Sequence, residues 1–196
     1  DGCETVTSFK MHPTGLSQCI EETAQAIQWG QKSPASGPNK RRGKGTAIMW
    51  KAPAMPPNAG SSAWVELAED GTVNVGLGGQ DLGQGAFTVM AQMAAAALGV
   101  RYEDVRISSP VDTRYSPYEW QTVASRLTWS MGNAVRAASL DARRQILDMA
   151  AESWDEDPDD LDIVEGQIIS YKTEESMSLK DMVVYGIPRE NYEGWI

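Results

Sequence analysis

Two segments of the sequence place small and hydroxyl-bearing residues directly before a predicted helix. Residues 78–85 read GGQDLGQG and precede an alanine- and methionine-rich stretch, while residues 121–128 read QTVASRLT and open a longer one. Helix N-termini carry unpaired backbone N–H groups and a partial positive charge, so they favour anions and oxygen-rich ligands. Glycine lets the backbone approach a ligand closely, and the Gln84 amide can both donate and accept hydrogen bonds. The pattern is consistent with two loops that hold an anionic cofactor.

Each loop also has a simpler interpretation. The glycines could serve only a tight turn between a strand and a helix, and Thr122 or Ser125 could be an ordinary helix N-cap. The first loop has neither the GxGxxG order nor a following Gly-Lys-Ser/Thr, so a general nucleotide or phosphate site is a weaker third possibility. Spacing alone leaves all three interpretations open.

The hydrophobic pattern predicts the elements that position these loops. It predicts an α+β fold in which strand–loop–helix units carry the glycines, with an N-terminal helix and linker segment at 1–60 and a lobe at 61–196. The predicted helices are 14–29, 86–98, 125–153 and 178–185; the predicted strands are 47–50, a hairpin of 62–68 with 72–77, 105–108, and a hairpin around 165–166. The stripe expected to be buried on the long helix is Leu127, Met131, Val135, Ala138, Ala142, Ile146 and Met149, and Trp129 is also assigned to the core.

Charge and cysteine content narrow the function classes. The 17 basic and 27 acidic residues give a net charge of −10, which argues against binding to nucleic acid or an anionic membrane. Cys3 and Cys19 show no CxxC spacing, so an iron–sulfur or zinc site within this chain is not expected. We predict a cytoplasmic protein without a membrane-spanning segment.

An ordered set of motifs resembles a known family. Residues 62–142 are similar to the molybdenum subunit of the xanthine dehydrogenase and aldehyde oxidase family. The similarity follows the order from the Gly-Gln-Gly loop to the Thr-x-Ala-Ser loop, through segments 78–92, 98–100, 105–107, 112–113, 122–126 and 132–135.

The resemblance implies a fold, a cofactor and a site. The fold would be that of the molybdenum-hydroxylase cofactor-binding domain, and the cofactor molybdopterin, in its bare or cytosine dinucleotide form. The residues implied at the cofactor are Leu82, Gly83, Gln84, Thr122, Ala124, Ser125, Arg126, Leu127 and Thr128. The family hydroxylates a heterocycle or an aldehyde with oxygen from water. Iron–sulfur clusters and FAD would then lie on partner domains or subunits, beside the remaining segments of the molybdenum subunit.

The sequence departs from the family pattern at residues 116–121, which read SPYEWQ where many members are glycine-rich. Glu119 invites an acid–base role, but the family's base belongs to a Gly-Glu-Pro-type motif that this chain lacks. We therefore expect a fragment or one part of a split oxidoreductase, inactive in isolation and with no catalytic residue of its own. The alternative is a non-catalytic assembly module that keeps the fold and binds no metal.

Overall fold

The computed structural model describes residues 2–6, 8–49, 56–108 and 111–185, and it divides into two compact units, Asp1–Ala54 and Met55–Ile196. In the first unit, helix α1 (Leu16–Ala26) confirms the predicted N-terminal helix but ends before Trp29. None of its residues is buried. Residues 47–49 are not in a strand, and the last residue of that predicted strand, Trp50, is outside the described residues.

The second unit begins with a three-stranded sheet. Strands β1 (Ala63–Leu67) and β2 (Val73–Leu77) form the predicted antiparallel hairpin, with Val65 opposite Val75. Helix α2 (Ala86–Leu98) then leads to β3 (Val105–Ile107), which pairs parallel to β2. The order β1-β2-β3 makes β2 the central strand, which explains why its two valines are completely buried.

Helix α3 (Leu127–Trp154) packs against α2 and β1 and completes this core. A Cβ at Gly132 would lie 2.7 Å from the end of the Met93 side chain, so Met93 packs directly against the glycine of α3. Four members of the predicted stripe are buried: Leu127, Met131, Val135 and Ile146.

Two predictions on α3 are wrong. Met149 is exposed, whereas Ala150 is fully buried, because the buried stripe advances by four residues at that point. Trp129 is 72% exposed. It is two residues from Leu127 and from Met131, which at about 100° per residue places it on the far side of the helix.

A second three-stranded sheet follows α3. Strands β4 (Leu161–Val164), β5 (Gln167–Ser170) and β6 (Ser176–Ser178) are antiparallel, and β4 and β5 form the hairpin predicted around Glu165–Gly166. Helix α4 (Leu179–Tyr185) comes next. The predicted α+β class is confirmed. In the part of the chain described, no helix is both long and apolar enough to cross a membrane.

Two glycines with left-handed backbone differ in how closely other atoms approach them, and the comparison concerns the contact between the end of α2 and the second sheet. Gly99, which ends α2, has φ of +91°, and a Cβ there would lie 2.0 Å from the carbonyl oxygen of Ile163. Gly166 has φ of +79° but nothing within 4 Å of its Cβ position. Left-handed backbone costs a residue with a Cβ about 1–2 kcal/mol. Gly166→Ala should therefore lose about that amount, and Gly99→Ala about 1–3 kcal/mol more, because backbone must move to relieve the clash.

Urea unfolding of the two variants and the wild type measures this difference. Equal losses of unfolding free energy in the two variants would contradict the close approach of α2 to β4.

Candidate functional site

The two glycine- and hydroxyl-rich loops meet in the folded chain. The backbone N–H of Gln80 donates a 2.8 Å hydrogen bond to Oγ1 of Thr122. A Cβ at Gly78 would lie 2.3 Å from the carbonyl oxygen of Pro117, and one at Gly79 would lie 2.7 Å from Cδ1 of Leu127. The first loop therefore packs against the second through glycines that leave no room for side chains.

The exposed tip of the first loop has its own internal hydrogen bonds. Oε1 of Gln84 accepts from the N–H of Leu82 at 2.6 Å, and its Nε2 donates to the carbonyl of Gln80 at 3.1 Å. The Cβ positions of Gly83 and Gly85 have nothing within 4 Å, and the Leu82 side chain is 74% exposed. The three residues expected here at the cofactor, Leu82, Gly83 and Gln84, thus lie on an exposed loop whose conformation is held by its own hydrogen bonds.

Asp81 caps the start of α2. One of its carboxylate oxygens accepts from the N–H groups of Gly83 at 2.8 Å and Gly85 at 3.3 Å, and the other accepts from Phe87 at 3.3 Å. These bonds, with that from Gly83 the strongest, hold the pKa of Asp81 below its usual value. These N–H groups are therefore occupied by Asp81 and are not free for an anion, contrary to the expectation from the sequence. A carboxylate shortly before a helix start was the signal that sequence reasoning passed over.

The second loop contains a strained turn. The N–H of Arg126 donates to the carbonyl of Val123 at 3.2 Å, closing a turn whose central residues, Ala124 and Ser125, have φ of 55° and 56°. Such turns favour Asn-Gly, because a residue with a Cβ loses about 1–2 kcal/mol in left-handed backbone. The turn also delays α3, which begins at Leu127 and not at Ser125 as predicted. Non-glycine residues held in this conformation are concentrated at functional sites.

Arg126 is buried beneath this turn. Its Nη1 forms an ion pair with Glu119, and the two side chains are 2% and 4% exposed. Sequence reasoning expected Arg126 to attract an anionic cofactor and did not connect it with Glu119. Its other acceptors, all within the chain, are the carbonyls of Ala59, Gly60 and Gln121 and the hydroxyls of Ser61 and Ser130, at 2.6 to 3.2 Å.

The remaining predicted residues divide by exposure. Ser125 and Thr128 are exposed, and Thr122 and Ala124 are partly buried at the junction of the loops. Leu127 is buried in the core, where it packs beneath Gly79. Trp129, on the same turn of α3 as Thr128, presents its ring to solvent.

A large groove lies elsewhere. It encloses about 550 Å³ between β1 and α3, where Trp64, Ala134 and Ala138 are among the residues that line it, and no residue of either loop does. The groove is therefore separate from the site that the loops form.

The chemistry of the two loops suits one side of a molybdopterin. Exposed amide and hydroxyl groups and open glycines of the two loops can approach a ring system rich in nitrogen and oxygen. Within the described ranges, no group of three His, Cys, Asp or Glu side chains is arranged to hold a metal ion. The residues present therefore fit contacts to the organic part of such a cofactor.

Removing the Asp81 charge should destabilise the chain in a pH-dependent way. Because its pKa is lowered in the folded state, Asp81 stabilises the fold at pH values above the ordinary carboxyl pKa of about 3.9. This contribution is lost as the pH falls through the lowered value. Asp81→Asn should lower the urea midpoint at pH 7, and the difference from wild type should shrink as the pH falls below about 4.

The control is Asp148→Asn, which removes an exposed carboxylate on α3, outside both loops. A difference between Asp81→Asn and wild type that stays constant from pH 7 to pH 3 would contradict the capping role.

Comparison with known proteins places this geometry in a family. The model of the molybdopterin cofactor-binding domain matches residues 20–192. The chain is 32% identical over 195 residues to the xanthine dehydrogenase molybdenum-binding subunit of Escherichia coli O157:H7, covering 91% of this chain and 25% of that subunit. It is 34% identical over 118 residues to the 6-hydroxypseudooxynicotine dehydrogenase complex subunit gamma of Paenarthrobacter nicotinovorans, covering 60% of this chain and 15% of that one. The chain thus spans at most a quarter of these relatives.

Solved structures agree with this placement. The crystal structure of quinoline 2-oxidoreductase from Pseudomonas putida 86 superposes with a TM-score of 0.56 at 26% identity, over 63% of this chain and 16% of that one. The Cu,Mo-CO dehydrogenase, at 24% identity and a TM-score of 0.57, covers 64% of this chain and 16% of its own and supports the fold. The family match extends over both loops, the core between them and the second sheet, and the chain belongs to the molybdopterin cofactor-binding domain family.

Proposed function

We propose that the two loops grip opposite edges of molybdopterin, as one portion of a xanthine dehydrogenase-like molybdenum hydroxylase. The observation that carries the proposal is the hydrogen bond from Gln80 to Thr122, which joins the loops that the family motifs single out. The first edge would contact Leu82, Gly83 and Gln84, and the second would contact Thr122, Ala124, Ser125 and Thr128. Arg126 and Leu127 would support the second loop from beneath, since both are buried.

Gln84 is the most versatile contact in this arrangement. An amide oxygen has two lone pairs and an amide nitrogen has two hydrogens, and the internal bonds to Leu82 and Gln80 use one of each. One acceptor and one donor position remain for a ligand. Because the internal bonds already fix the side chain, binding would cost little further ordering of Gln84.

When bound, the cofactor supplies the redox chemistry for hydroxylating a heterocycle or an aldehyde with oxygen from water. The residues of this chain bind and orient it, in its bare or cytosine dinucleotide form. Relatives that are named as subunits of dehydrogenases and oxidoreductases support the idea that further segments complete the enzyme. We propose iron–sulfur and flavin partners and a cytoplasmic location, in keeping with the free thiols of Cys3 and Cys19.

A second function is favoured by one set of observations. Asp81 occupies N–H groups at the start of α2, and the terminal nitrogens of Arg126 have acceptors inside the chain. The loops are therefore stable without a ligand, as a non-catalytic assembly module would require.

Replacing Gln84 with alanine should weaken cofactor retention if the first function is correct. A neutral hydrogen bond contributes about 1 kcal/mol, so the loss of one or two bonds predicts about a 5- to 30-fold lower affinity. The chain is co-produced with its neighbouring subunits in a molybdenum-competent host. Pterin fluorescence and molybdenum content per mole of chain are then measured.

The matched control is Gln92→Ala, at an exposed position on α2 away from the loops, which should retain as much pterin as wild type. Equal retention by Gln84→Ala and wild type would overturn the proposed contact. A wild-type chain that carries neither pterin nor molybdenum would support the assembly module.

A further inference from the structure

A buried ion pair lies beneath the second loop. The side chains of Arg126 and Glu119 are 2% and 4% exposed, so both charges have been removed from water. Such burial costs several kcal/mol per ion unless each charge is paired and its remaining hydrogen-bonding positions are filled. A pair this deeply buried therefore constrains every segment that supplies it with partners.

Arg126 joins three segments, one of which is distant in sequence. Nη1 donates to the carbonyl of Gln121 at 2.8 Å, in addition to its ion pair with Glu119. Nη2 donates to the Ser130 hydroxyl at 2.6 Å, on the first turn of α3. It also reaches the carbonyls of Ala59 and Gly60, both at 3.2 Å. One guanidinium thus ties the segment before β1, the segment before the turn and the start of α3 together.

Both carboxylate oxygens of Glu119 also accept hydrogen bonds from within the chain. Its Oε2 accepts from the Ser61 hydroxyl at 2.6 Å, and its Oε1 accepts from the N–H of Gln121 at 3.1 Å and from Arg126. The N–H of Trp120 donates to the carbonyl of Gly60 at 3.2 Å, so the backbone on either side is also paired. A buried carboxylate whose two oxygens both have internal donors is not available to a substrate, and this excludes the acid–base role considered from the sequence.

The ion pair brackets the strained turn, because Arg126 ends the turn and Glu119 lies four residues before Val123. Arg126 is the last residue of the turn, and its bond to the Gln121 carbonyl closes the loop that contains Ala124 and Ser125. These two residues hold left-handed backbone that costs about 1–2 kcal/mol each. The anchored guanidinium is in position to hold this conformation from the last residue of the turn.

We infer that the Glu119–Arg126 pair is a positioning device, which holds the Ala124–Ser125 turn in its left-handed form. Glu119 controls cofactor retention through Arg126 and the turn, without touching the cofactor. The second statement rests on the proposed function, whereas the first concerns the chain alone.

The key variant is Glu119→Gln, which keeps the shape of the side chain and leaves the Arg126 charge buried without its counter-ion. The turn should relax towards ordinary backbone, and pterin and molybdenum per mole of folded chain should fall at least tenfold. In isotope-labelled chain, the backbone shifts and couplings of Ala124 and Ser125 should change from left-handed values to averaged ones. Glu119→Asp, which keeps the charge, should restore both readouts in part.

Arg143→Gln is the matched control for lost stability. Arg143 pairs with Asp162 and donates to the carbonyls of Leu98 and Ile163, joining α3 to the second sheet far along the helix from the turn. This variant should lower the unfolding midpoint but leave the turn and the cofactor content per folded chain as in wild type.

A strain-relieving substitution completes the test. Glycine accepts left-handed backbone without a steric penalty, so adding Ala124→Gly to Glu119→Gln should recover part of the cofactor content. Ala124→Gly alone measures what the lost methyl group contributes.

The outcomes separate the two claims. A left-handed turn that persists in Glu119→Gln would overturn the positioning role, whether or not cofactor binds. A relaxed turn with unchanged cofactor content, or equal loss in Glu119→Gln and Arg143→Gln, would overturn the control of retention. A wild-type chain without pterin would overturn the proposed function and the retention claim with it, while the NMR readout still decides the role of the pair in the turn.

Discussion

A guanidinium removed from water needs hydrogen-bond acceptors for its N–H groups, and in this chain that requirement constrains the segments around the second loop. Arg126 finds them in the segment before β1, in the SPYEWQ segment and on α3, so these parts have one arrangement in which the charge is satisfied. The first loop is then placed by contact with the same segments. The Gly78 backbone lies against Pro117, and that of Gln80 bonds to Thr122. The buried pair and the contacts of Gly78 and Gln80 thus together hold the two loops against each other.

Internal pairing also bears on how the proposed site of this acidic chain would accept an anionic group. The net charge of −10 would repel such a ligand if the loops relied on a general surface potential. Asp81 neutralises the positive end of α2, and Glu119 neutralises Arg126, so neither loop offers a bare charge. What remains exposed is a set of neutral donors and acceptors, including the Gln84 amide and the Ser125 hydroxyl. Recognition by neutral groups depends on shape, which is why the fixed geometry of the loops matters.

Local patterns in the sequence predicted the elements well where one residue type marks a boundary. Gly85 and Gly99 bound α2 in the structure at the predicted residues, because both adopt left-handed backbone. The β1–β2 hairpin followed from strict alternation around Gly71. The motif resemblance located both loops. The exposure of Trp129 could have been found from helical geometry, since it falls between two core positions on a turn of 3.6 residues.

Side-chain partners were harder to predict, because they depend on segments brought together only by folding. Glu119 and Arg126 are seven residues apart, but the serines and carbonyls that complete their burial come from residues 59–61 and from Ser130. The lowered pKa of Asp81 likewise depends on a loop bending back over its own carboxylate. Burial of the Arg126–Glu119 pair requires loss of water around two charges, a property that no local pattern encodes. The residues that shape this site are thus the charged ones beneath it, while the motif residues above them are mostly neutral and exposed. The geometry of the second loop is therefore supported from below by Arg126, which belongs to the motif, and by its partner Glu119, which does not.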